Sequence, residues 1–142
     1  MATQLQESFT VSDPDHAWGV VSDVGKLVTC VPGAKVVSAE GPTKAKAEID
    51  VQMGSMAMKF TGPVEIVEQD DSSRRAVIKA NAKEAGGQSN ADGTVTITIS
   101  GDGGTVDATA NVSGKAASMG EGTVQSVLEA LVKQFTGNLA KA

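Results

Sequence analysis

Between Lys44 and Met53 the chain alternates: Ala45, Ala47, Ile49, Val51 and Met53 share one side of an extended backbone, and Lys44, Lys46, Glu48, Asp50 and Gln52 share the other. Successive side chains of a β-strand point to opposite faces, so this pattern predicts a strand with one face buried and one wet. The period recurs downstream. After Gly54-Ser55, the set Met56, Met58, Phe60, Gly62, Val64 and Ile66 opposes Lys59, Thr61 and Glu65. After the polar turn Asp70-Asp71-Ser72-Ser73, Ala76, Ile78, Ala80 and Ala82 oppose Val77, Lys79, Asn81 and Lys83. Beyond Gly86-Gly87, Ala91, Gly93, Val95, Ile97 and Ile99 oppose Asp92, Thr94, Thr96 and Thr98, and beyond Gly101-Asp102-Gly103-Gly104 the inward set is Val106, Ala108, Ala110 and Val112. Alternating runs separated by short glycine-rich or polar turns predict an antiparallel meander.

Upstream, a first strand is expected over about Gln4 to Val11. Asp13 followed by Pro14 reads as an N-cap with proline at the first helical position, and predicts a short helix through Val21. A second short helix is expected from Asp23 to Val31, stopped by Pro32-Gly33. A strand over Ala34 to Glu40 and the turn Gly41-Pro42-Thr43 then complete a hairpin with Lys44–Met53. At the other end Ser118 and Glu121 have the spacing of a capping box, and Val124, Val127, Leu128, Leu131, Phe135 and Leu139 form one apolar stripe of a long helix. Glu129 and Lys133 are placed to pair on its wet face. Strand, two short helices, six strands and a long helix define an α+β chain, read as a single domain over 1–142: a strongly curved seven-stranded antiparallel sheet wrapped around its C-terminal helix.

The inward positions are unusually small. Alanine and glycine stand where a sheet core would carry Leu or Phe, so a space between sheet and helix is expected; Trp at Ala80 or Ala110 should fill it.

Composition narrows the function. A chain of 142 residues is long enough for one core. A net charge of -5 with no Tyr, three Phe and one Trp supplies neither the cationic surface nor the stacking platforms that nucleic acid requires. No run approaches the roughly 20 apolar residues of a membrane-spanning helix. Met1-Ala2-Thr3-Gln4 has no signal-peptide character, and the one cysteine, Cys30, has no internal partner. A cytoplasmic location is expected, with membrane contact at most peripheral, at the inner face.

Candidate chemistry is sparse. His16, the only histidine, lies on the first short helix among Asp13, Asp15 and Trp18, without a second ligand or a paired nucleophile; it reads as an exposed helix residue. Cys30 reads as a small, buried residue beside a Pro-Gly turn rather than a nucleophile. No metal-binding spacing occurs, and the glycine strings match no phosphate-binding fingerprint. Glu7 shares a face with Leu5, Phe9 and Val11: it is either an anchor inside the cavity or is carried into water by strand twist. The inward positions of the later strands carry no ionisable side chain, which general acid-base catalysis needs, so no enzymatic activity is expected.

Several local strings carry a resemblance. Cys30-Val31-Pro32-Gly33-Ala34 resembles the CxPGA turn of the carbon monoxide dehydrogenase CoxG family, Phe60-Thr61-Gly62-Pro63-Val64 its FxGxV strand, and Gly114-Lys115-Ala116-Ala117-Ser118-Met119-Gly120 its small-residue loop before the last helix. The resemblance spans essentially the whole chain. It implies the helix-grip fold of the START-like, polyketide cyclase-like superfamily, and an accessory protein of a molybdenum-containing dehydrogenase whose apolar cavity is linked to membrane recruitment and quinone binding. Periodicity and resemblance together nominate as cavity lining Val20, Leu27, Ile49, Val51, Met53, Met56, Met58, Phe60, Ile78, Val95, Ile97, Val112, Met119, Leu128, Leu131 and Phe135, the methionines supplying an adaptable surface. No metal or covalent cofactor is expected, only a bound quinone-like or lipid-like molecule. The opening is expected between the two short helices and the start of the last helix, with Gly114, Gly120 and Gly122 as hinges. Two rival readings are a cyclase-type enzyme depending on Glu7 or His16, and a structural adaptor whose small-residue face lets the helix pack with no cavity left.

Overall fold

A computed structural model describes residues 2–53 and 55–141. Gly54, in the expected connection after Met53, lies outside the described residues, as does the side chain of Met53. The strands are β1 (Ala2–Thr10), β2 (Ala34–Ala39), β3 (Lys44–Met53), β4 (Met56–Asp70), β5 (Arg75–Glu84), β6 (Ser89–Ser100) and β7 (Gly103–Gly114), and the helices α1 (Pro14–Val21), α2 (Val24–Thr29) and α3 (Glu121–Ala140). All seven strands form one antiparallel sheet in the order β1-β7-β6-β5-β4-β3-β2. The chain from β2 to β7 is the expected meander; β1 closes onto β7, and α1 and α2 carry the chain from one edge of the sheet to the other.

Local chemistry sets the helix starts. The Asp13 carboxylate accepts the His16 N–H at 3.1 Å, ahead of Pro14. The Asp23 carboxylate accepts from Gly25 and Lys26 N–H at 3.0 and 3.3 Å, satisfying donors that the first turn cannot pair internally. α2 ends two residues before the expected Val31, because Cys30 and Val31 donate to Leu27 and Val28 carbonyls in a tightening i to i−3 turn.

The start of α3 differs from the capping box read in the sequence. Ala116 N–H donates to the buried Ser89 Oγ at 2.8 Å, which draws the chain into a 3₁₀ turn over Ala117–Met119. Ser118 is consumed inside that turn, its hydroxyl bonded to Lys115 O at 2.6 Å, and Gly120 takes the cap position at φ 98° with no side-chain bond. Glu129 likewise accepts from Gln125 Nε2 at 3.2 Å, one turn earlier, rather than pairing with Lys133.

Two apolar clusters fill the concave side of the sheet. One gathers α1, α2 and the C-terminal part of α3 around Trp18, Val21, Val24, Leu27, Ile97, Phe135 and Leu139; the other packs the start of α3 on the sheet through Met58, Phe60, Val112, Ala116 and Val124. Trp18 Nε1 donates to Asp71 Oδ1 at 3.1 Å and Arg74 pairs with Asp15, which ties α1 to the β4–β5 turn. A bulge between Ile66 and Glu68 raises the local twist, and Val77, expected on the wet face, is buried together with Ala76 and Ile78.

Candidate ligand cavity

The strand registers line up small residues across the sheet. Ala47 stands opposite Gly62, and a second row runs Ala45, Val64, Ala80, Gly93, Ala110. Bulkier rows lie on either side, Ile66–Ile78–Val95 toward α1 and Ile49–Phe60 toward the end of β3. Gly62 tolerates no side chain at all: a Cβ there would meet Asn81 O at 1.9 Å and Ala82 Cα at 2.8 Å. The missing side-chain volume leaves a cavity of about 280 Å³ between the sheet, α2 and α3.

Its walls are Leu27, Val28 and Val31 from α2 and the turn after it; Leu131, Val132 and Phe135 from α3; and, from the sheet, Ala34, Ala47, Ile49, Phe60, Gly62, Pro63, Val64, Ile78, Ala80, Ala82, Val95, Ile97, Val106 and Ala108. Glu48 also touches it, but alternation with Ala47 and Ile49 turns its carboxylate to the outer face. There Lys59 Nζ lies at 2.8 Å and Lys35 Nζ at 4.0 Å. The Lys59 hydrogen bond holds Glu48 below the usual carboxylate range, and the same bond lifts Lys59 above its ordinary value.

Of the sixteen residues nominated from the sequence, the structure brings Leu27, Ile49, Phe60, Ile78, Val95, Ile97, Leu131 and Phe135 together around the cavity. Val20 packs in the first core cluster instead. Met58 and Val112 are buried in the second, with Val51, Met56, Met119 and Leu128 packed against it. α3 seats its N-terminal half directly on those side chains, so the methionines fill core there and the space lies further along the helix. Ala80 lines the cavity, whereas Ala110 lies outside its walls. The residues missed fall into two groups. Ala47, Gly62, Val64, Ala82, Val106 and Ala108 occupy inward positions of the alternation and were legible; Val28, Val31, Ala34 and Val132 depend on where α2 and α3 cross the sheet.

Glu7 stands on the inward side of β1 opposite Val106, half-buried, and is not part of the cavity wall. His16 is exposed on α1. Cys30 is partly buried outside the wall; burial pushes its thiol up, and its carbonyl accepts from Asn138 Nδ2 at 2.8 Å. Among the described residues no three His, Cys, Asp or Glu side chains converge as a metal site, and no helix is long and apolar enough to cross a membrane.

A second depression, an open groove of about 440 Å³, runs between Pro32, Gly33 and Asp50–Gln52 on one side and Ser126, Val127, Ala130, Leu131 and Gln134 of α3 on the other. The opening expected at Gly114, Gly120 and Gly122 is closed: Ala116 and Val124 are buried there against Met58, Phe60 and Val112.

Solved structures share this architecture. A conserved protein from Geobacillus kaustophilus, 18% identical, superposes with a TM-score of 0.75 over 99% of this chain and 93% of its own. A Thermus thermophilus protein, 15% identical, gives 0.69 over 98% and 97%. The Zhui aromatase/cyclase from a Streptomyces species, 13% identical, gives 0.56 over 97% and 88%. At these identities the likeness establishes the fold alone: with the sheet order and the gripped helix, it is a START-like, helix-grip architecture of the kind the aromatase/cyclase also adopts. No functionally curated protein matches the sequence. The sequence model of the carbon monoxide dehydrogenase CoxG family matches residues 8–142, and the chain belongs to that family.

Proposed function

We propose that this protein is a non-catalytic carrier. It holds a hydrophobic, quinone-like or lipid-like molecule between sheet and α3, and serves a molybdenum-containing dehydrogenase such as carbon monoxide dehydrogenase as an accessory, membrane-recruitment or electron-acceptor-delivery factor. The observation that carries the reading is the cavity itself: about 280 Å³ remain inside, walled by apolar side chains. An apolar cavity of about 150 Å³ accommodates a benzene ring, so this one has room for a fused ring or a stretch of isoprenoid or acyl chain. Its affinity would come from burial, at about 25 cal/mol per Å² of apolar surface removed from water. The fold class and the family name support the same reading. The residues bounding the cavity offer a quinone no covalent or metal anchor, so it would be held by packing alone, which suits a cargo that has to be released.

Catalysis is not part of the proposal, because a cyclase needs an acid or base against its substrate, and Glu7 and His16 both stand outside the cavity wall. A cytoplasmic site of action, with peripheral contact at the inner membrane face, fits delivery from bilayer to enzyme. The test is extraction of the purified protein into organic solvent after incubation with a membrane extract, with mass spectrometry against an unrelated protein of similar size. A stoichiometric quinone or lipid is expected. A blank identical to the control would overturn the carrier role and favour an adaptor that binds the dehydrogenase alone.

A further inference from the structure

The cavity and the groove are neighbours at every wall they have in common. Along the turn after α2, Val31 and Ala34 face the cavity while Pro32 and Gly33 face the groove; along β3, Ile49 faces the cavity while Asp50 and Val51 face the groove. On α3, Leu131 lines both. The main-chain partitions are fixed. Asp50 N–H donates to Gly33 O at 3.1 Å, and Ala34 N–H to Val31 O at 3.1 Å. Gly33, at φ +80°, lies so close to β3 that a Cβ would sit 2.8 Å from Asp50 O. Leu131 is different: it is half-buried, and its side chain has no hydrogen bond to break when it turns.

Resting on the carrier reading above, we propose that the groove is the mouth of the cavity and that the Leu131 side chain is its gate, passing an elongated apolar molecule while α3 stays seated. The alternative mouth, at the start of α3, would require breaking the Ser89–Ala116 bond and unpacking Val112 and Val124. A side-chain gate needs only a rotamer change, which is fast compared with helix movement.

Stopped-flow fluorescence with the neutral dye Nile red tests the route. Leu131→Ala is expected to raise the association rate by about tenfold, the rate equivalent of one unfavourable rotamer, and the dissociation rate by more, because the same truncation removes a cavity-wall contact. Ala130→Trp, at an exposed position in the groove, should slow both rates without disturbing the fold. Gly122→Val, at the start of α3, should alter neither. Rates indifferent to both Leu131→Ala and Ala130→Trp, or rates moved by Gly122→Val, would overturn the gate while leaving the carrier reading intact. A wild-type protein with no saturable dye signal would remove both.

Discussion

Replacing Ala80 with Phe asks whether the space under α3 is real, because the sign of the effect differs between a cavity and a close-packed interface. Ala80 lies on β5 between Val64 and Gly93 and faces the cavity. A buried aromatic ring removes at least about 150 Å² from water, which at about 25 cal/mol per Å² contributes roughly 4 kcal/mol. Ordering the side chain costs about 1 kcal/mol, and imperfect fit in a native core typically costs about 1–3 kcal/mol. The net lies between no change and about 2 kcal/mol of stabilisation, or up to several degrees in Tm for a chain of this size. Were the interface already full, the same ring would overpack it and Tm would fall. Calorimetry without ligand reads that sign. Repeating it with decyl-ubiquinone at about 100 times its dissociation constant should stabilise the wild type by about 2.7 kcal/mol and leave Ala80→Phe unmoved. A folded Ala80→Phe protein that melts several degrees lower, or one that keeps the ligand shift, would refute the reasoning.

Four further outcomes are expected. Gly62→Ala forces a Cβ to within 1.9 Å of a backbone carbonyl and should cost about 3 kcal/mol or more in urea unfolding; a loss below about 1 kcal/mol would show that β4 and β5 are not so close. Asp23→Ala removes the cap of α2 and should cost about 1 kcal/mol in the same assay, whereas no measurable loss would deny the cap a stabilising role. The Cys30 thiol, raised by burial, should react with Ellman's reagent at pH 8 several-fold more slowly in folded than in urea-unfolded protein. A group whose folded pKa is raised lends stability below its unfolded pKa and loses it as pH rises through the folded one, so Cys30→Ala should flatten the alkaline limb of the stability profile; equal reactivity in both states would deny the burial. Glu48 has the opposite sign: its depressed value stabilises above the ordinary carboxylate range and fades as pH falls, and Lys59→Met should return its NMR titration toward the usual value. A titration unchanged by Lys59→Met would assign the shift elsewhere.

The order of elements was fully legible in the sequence, because each rests on local chemistry. Strict two-residue alternation can be satisfied only by strands with one buried face, and β3 has the predicted bounds Lys44 and Met53. Asp13-Pro14 and Asp23 cap their helices through carboxylates two or three residues away. That the inward faces were too small to fill the interior was also written in the alanines and glycines. What the sequence could not decide is how α3 lies across the sheet. Its apolar stripe runs unbroken from Val124 to Leu139, and nothing in that stripe distinguishes the half that presses on Met58 and Val112 from the half that spans the gap above Ala47, Gly62 and Ala80. The Ser89–Ala116 bond joins residues 27 apart, displaces the expected capping box and anchors the loop that leads into α3. Contacts of that kind are nonlocal, set by the close approach at Gly62 and the coil of the whole sheet, so only the tertiary structure could show that Met56, Met58 and Met119 are core, that half of the nominated residues wall the cavity, and that Leu131 lines both it and the groove.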